Sequence, residues 1–238
     1  PPVHLSEQAT YRLRVLGSEP TDFTLQLFSN TTDPAVGPVP INDSRIEIGG
    51  GERWAVAGGV RPKVTSVPQF RRLHDPAAFV DISATGQALN LSDDGFATVN
   101  TTVSNAIFAG GSVVVGNNGA VVSAGFQAIP FENERLPTSL FGTALVPYWD
   151  DLSDFSGNVY WRQQPVGGID TFIVQWHNRP HFDSTFSETV TFQVQVFATG
   201  PLLARYVYRD VTFGNPTLDG GGSATIGYQA DGTSAVQY

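Results

Sequence analysis

The chain has no cysteine and no methionine, and a single lysine stands against twelve arginines. Without cysteine no disulfide can staple the fold, so stability has to come from packing, with or without a bound metal. Animal extracellular modules of this size usually carry disulfides, whereas bacterial exported β-proteins often do without them. A bacterial secreted or cell-surface protein is therefore the expectation. Basic clusters are scarce as well: the densest is Arg71-Arg72, and the formal net charge is −9. Phosphate backbones and anionic bilayers both require a basic patch, which argues against nucleic acid and anionic membranes as partners. Apolar runs last only a few residues, too short for membrane insertion or for a signal peptide. No segment carries convincing helical periodicity. An initiator methionine is also missing, and a chain that starts at Pro1-Pro2 is expected to be a processed or excised fragment.

What is present suits short strands and tight turns. Twenty-five glycines and sixteen prolines are spread over 238 residues, of which 41% are apolar, too many for a disordered chain. Apolar residues alternate with polar ones at Tyr11–Val15 and Phe23–Leu27, and short strands follow at Arg45–Ile48 and Arg53–Ala57. The stretch Arg61–Pro76, with three prolines, reads as a linker or crossover. Strands resume at Phe79–Ile82, Ala97–Val103, Gly111–Val115 and Val121–Ser123. Asn118-Gly119 lies between the last two and predicts a type I′ hairpin with positive φ at both positions. Further strands are expected around Pro147–Asp150, at Gly157–Trp161, Phe172–Trp176, Thr191–Phe197, Ala204–Tyr208 and Ala224–Gln229. The fold class is all-β, an antiparallel β-sandwich. It is either one large sandwich or a small N-terminal β-module over 1–75 followed by a larger sandwich over 76–238.

Candidate chemistry is sparse. Asp150, Asp151 and Asp154 follow a strand directly, and carboxylates suit a hard cation such as Ca²⁺, which needs six to eight oxygens. The competing reading is that Asp150 and Asp151 cap the turn by accepting backbone N–H bonds. His177 and His181 are four apart, but Pro180 between them rules out the helix on which zinc ligands use that spacing. His181, Asp183 and Ser184 make a triad on paper, yet there is no nucleophile elbow, and a hydrolase using Asp150, Asp151 or His181 is the least favoured reading. Most aromatic residues are expected in the core, with Tyr148, Tyr160 and Tyr208 as candidates for an exposed platform that binds sugar or peptide. Sequons occur at Asn30, Asn42, Asn90 and Asn100.

Several motifs recur in one order: Asn117-Asn-Gly119, Leu136-Pro137, Pro147-Tyr-Trp-Asp-Asp-Leu152, Gly157-Asn-Val-Tyr160, Phe172-Ile-Val-Gln-Trp176, Thr191-Phe-Gln-Val194, Gly200 with Tyr206, and Ala224-Thr-Ile-Gly227. Together they resemble the nidogen-like (NIDO-type) β-domains of bacterial secreted and cell-surface proteins, over roughly residues 96–238. Tyr148 stands where that pattern commonly has Phe, and Gln175 where it commonly has Glu. The resemblance implies a non-enzymatic module involved in adhesion or matrix contact, or flanking secreted hydrolases. The expected partners are other protein subunits, extracellular matrix or glycan. A homo-oligomer formed by strand addition, as in a surface filament, is one variant; a carbohydrate-binding accessory domain is the alternative.

Overall fold

Alternating apolar residues bury one face of each strand, and the computed structural model shows where those faces meet. It describes residues 44–49, 69–125, 129–183 and 188–238. All of them belong to one compact unit formed by Ser29–Glu52 and Ser66–Tyr238. The expected strands at Tyr11–Val15, Phe23–Leu27 and Arg53–Ala57, the sequons at Asn30 and Asn42, and Ser184 lie outside the described residues.

Thirteen described strands form two antiparallel sheets that pack as a sandwich. They are β1 (Ser44–Gly49), β2 (Gln69–His74), β3 (Gln87–Ala88), β4 (Phe96–Thr101), β5 (Gly111–Gly116), β6 (Val121–Ser123), β7 (Ala144–Trp149), β8 (Asn158–Val166), β9 (Ile169–Arg179), β10 (Val190–Phe197), β11 (Leu202–Asp210), β12 (Thr225–Asp231) and β13 (Ser234–Gln237). One sheet runs β2-β1-β11-β10-β9-β8-β3 and the other β13-β12-β7-β6-β5-β4. Gln69–His74, within the expected linker, is thus a strand of the first sheet. No helix among the described residues is long and apolar enough to cross a membrane.

The main core lies between the sheets. Phe172, Val174 and Trp176 of β9 meet Phe192, Val194 and Val196 of β10 there, with Val113, Val115, Val121 and Leu145 of the facing sheet. Trp176 stacks on Phe192 at 4.9 Å, and its indole N–H donates to Gly116 O. Each such side chain contributes about 1.5–3 kcal/mol by leaving water.

Both outer faces are partly covered as well. Over the first sheet, Phe79–Ile82 is not the expected strand but an irregular strap, because glutamine side chains take its backbone hydrogen bonds. The Gln193 amide accepts from Val80 N and donates to Val80 O, Gln175 Oε1 accepts from Ile82 N, and Gln195 Nε2 donates to Ala78 O. Gln175 also donates to Asp81 Oδ1, a bond that Glu in its place would replace with repulsion. Over the second sheet, a loop brings Ile129, Leu136 and Phe141 onto Val114, Val122, Val146 and Trp149. Here Gln229 is the clasp: its amide accepts from Thr138 N and donates to the carbonyls of Thr138 and Phe141.

The turn at Asn117–Gly119 also differs from expectation. Gly116 N donates to Ala120 O, so the loop has three residues, and only Gly119 has positive φ (80°). This is the three-residue hairpin geometry, with glycine in the left-handed position, and not type I′. Both asparagines are fully buried.

Candidate functional site

At one end of the sandwich, four segments converge: the Asn117–Gly119 loop, the Ser92–Gly95 turn, the chain after β7 and the chain after β9. Asn118 donates to Asp94 Oδ1 and Ile129 O, and accepts from Leu152 N. Asn117 bonds Leu152 O and receives Arg179 Nη2. Arg179, 2% exposed, also donates through Nη1 to the carbonyls of Ser156 and Gly157. The chains after β7 and β9 are tied directly through Ser153 N to Pro180 O, Phe182 N to Asp151 O, and a bridge between Leu152 and His181.

The three sequence-marked acids part company here. Asp150 is buried: its Oδ2 accepts from Ser223 Oγ at 2.6 Å, its Oδ1 accepts from Asp151 N, and His181 Nε2 lies 3.5 Å away. Asp151 is half-buried and Asp154 exposed. Among the described residues, the carboxylates whose oxygens lie within 4.8 Å of one another are Asp93, Asp94 and Asp151. Asp93 and Asp94 were not singled out in the sequence; the only hint was an Asp-Asp-Gly turn between strands. These three are the residues that could hold a cation, with backbone or water oxygens completing its shell.

Crowding shifts their proton affinities. Burial, together with the charges of Asp94, Asp93 and Asp183, pushes the Asp151 carboxyl up to about 6, against the pull of His181. Burial and the neighbouring Asp94 and Asp154 also raise Asp93. Burial opposes charge on His181, but its hydrogen bond to Asp150 and the charges of Asp150, Asp151 and Asp183 outweigh that and raise it. An acid raised in the folded state stabilises the fold at low pH, and that contribution is lost as pH rises through the folded value. Asp151→Asn is therefore expected to be more stable than the parent near pH 7, by about 1 kcal/mol after allowance for solvent screening, and indistinguishable from it near pH 4. Thermal melts at the two pH values check this. A bound cation would invert the sign, making the substitution destabilising at neutral pH.

Of the three candidate platform tyrosines, Tyr148 and Tyr208 are buried and cannot form one. Two adjacent facts explain this. The β7–β12 register shifts by one residue near Pro147, which turns Tyr148 into the main core against Phe192 at 5.1 Å and Trp149 into the outer cluster. The disturbed strand is then stitched from β11: Tyr208 Oη donates to Pro147 O, while Tyr206 Oη accepts from Val146 N and donates to Gly227 O. Tyr160 alone keeps surface, half-buried and edge-on to His177 at 6.2 Å. Both nitrogens of His181 are engaged, Nδ1 by Asp183 N and Nε2 by Asp150, while His177 Nδ1 faces the Gln175 amide.

Two packed antiparallel sheets, with one end built of interlocked loops, define a β-sandwich module. The chain belongs to the NIDO-related family, whose model matches residues 74–238. No curated protein and no solved structure matches it.

Proposed function

We propose that this module works outside the cell by contact and not by catalysis, as a structural or adhesive unit that engages other protein subunits or extracellular matrix. Family membership supports the extracellular setting. The observation that carries the rest is how the end loops use their residues. Asp150, His181, Asn117, Asn118 and Arg179 are spent on holding the loops, while Phe155 and Phe182 stand 72% and 46% exposed. Their rings stack at 6.0 Å, beside the exposed Asp154 and Asp183. Paired aromatic rings left in water at the tip of a rigid scaffold mark a contact surface.

The test is retention on immobilised matrix, together with sedimentation over a wide concentration range. The parent is expected to be retained or to self-associate, and Phe155→Ser with Phe182→Ser to lose most of that. A protein that is neither retained nor associated at any concentration would sink the reading. So would turnover of glycoside, ester or peptide substrates that Asp151→Asn abolishes.

A further inference from the structure

On the open side of the sandwich, between β4 of one sheet and β3–β8 of the other, lies a cleft of about 570 Å³. It continues along β4 into a hollow of about 440 Å³, the two sharing Gln87, Asn100 and Trp161. The cleft exists because β3 is only two residues long, so the inward-facing side chains of β8 beyond it have no neighbouring strand to cover them. Trp161 forms one wall, with its ring against Phe172 at 6.0 Å. Gln163 is fixed: its amide accepts from Thr101 Oγ1 and Thr102 N and donates to Thr102 Oγ1 and Asp170 Oδ2, tying the two sheets together beneath the cleft.

The remaining lining has hydrogen-bonding capacity to spare. Gln87 and Asn100 are exposed, and neither amide has a partner among the described residues. Arg162, also at the cleft, gives one N–H to Thr85 O. The Trp161 indole N–H is closed off from solvent and has no acceptor, a deficit of roughly 1–3 kcal/mol. No described carboxylate lines the cleft, although the chain carries a net charge of −9.

We propose that this cleft binds a segment of a neutral oligosaccharide. A pyranose has an apolar C–H face, which suits the electron-rich face of an indole. It also has a rim of hydroxyls, each donor and acceptor, which suits the planar amides of Gln87 and Asn100. A cation finds no described carboxylate here. The inference goes beyond the contact surface at Phe155 and Phe182, adding a second site with a named ligand class.

The test is calorimetric titration of the full chain with cellohexaose, maltohexaose and hexa-N-acetylchitohexaose. At least one is expected to bind, with Trp161→Ala weakening it about tenfold or more. Because that substitution also touches the core, Gln87→Ala with Asn100→Ala, both at exposed positions, is expected to weaken the same sugar without moving the melting temperature. Phe155→Ser with Phe182→Ser is expected to leave it unchanged. No binding to any of the three sugars would overturn the proposal, and so would binding that survives the cleft substitutions. Matrix retention that persists without sugar binding would remove the cleft and leave the adhesive reading standing.

Discussion

Gly119→Ala is expected to be among the costliest single-methyl additions at the described glycines. At φ +80° an alanine is strained by about 1–2 kcal/mol before any contact is counted. The added Cβ would also land on the Tyr148 carbonyl oxygen, which is backbone and cannot swing aside. Relief requires the Asn117–Gly119 loop to move away from β7. That movement breaks Tyr148 N to Gly119 O, Asp150 N to Asn118 O and the Asn118 contacts with Leu152. The sum is about 4 kcal/mol or more, against a total stability of about 5–15 kcal/mol. A fall in melting temperature of about 10 °C is expected, or recovery only as insoluble protein. Gly167→Ala is the control: its φ is also positive, but a Cβ there meets nothing, so the effect should stay near 1 kcal/mol. Equal effects at the two sites would mean that the close approach to Tyr148 is not what selects glycine.

Gln193→Leu is the second large effect expected, and it comes from a polar group. The side chain is fully buried, and leucine fills nearly the same space. The substitution leaves Val80 N–H and C=O without their partner and removes one acceptor from Gln195 and one donor from Gln175. Stripping partly buried backbone groups of their partner costs about 1–3 kcal/mol each, so a loss of about 2–4 kcal/mol is expected in denaturant titration. Hydrogen exchange distinguishes this from a simple loss of packing. The amides of Val80 and Ile82 should lose protection while those of β9 and β10 keep theirs. If exchange accelerates uniformly, the strap is not held as a separate layer.

Sequence alternation located the strands because most of them are amphipathic, and those from Gly111 to Gln229 fall within a few residues of expectation. It failed where a second layer intervenes. Phe79–Ile82 has the apolar character of a strand, but nothing local reveals that Gln175, Gln193 and Gln195 will imitate a neighbouring strand for it. In β7 and β10 both faces are buried, so alternation no longer separates core from surface. Tyr148 and Tyr208 looked available for that reason: the shift at Pro147 and the distant carbonyl that Tyr208 reaches are properties of the assembled sheets. At the loop end, the sequence marked Asp151 but not its neighbours Asp93 and Asp94, which come from a turn more than fifty positions earlier. Trp161 was legible only as one more aromatic residue, because the gap between β4 and β8 that it lines is a property of the assembled sheets.

The strap and the Ile129–Phe141 loop also set a rule for growth. A sandwich with bare outer sheets can stack face on face, layer upon layer. Here the central strands of each sheet are already roofed by the chain itself, and the roofs are fastened by buried amides. What remains in the described unit is the perimeter, namely the β2, β3, β4 and β13 borders and the loop ends. Any polymer built from it would extend as a ribbon or thread one module thick, with its width fixed by the fold and its length by supply.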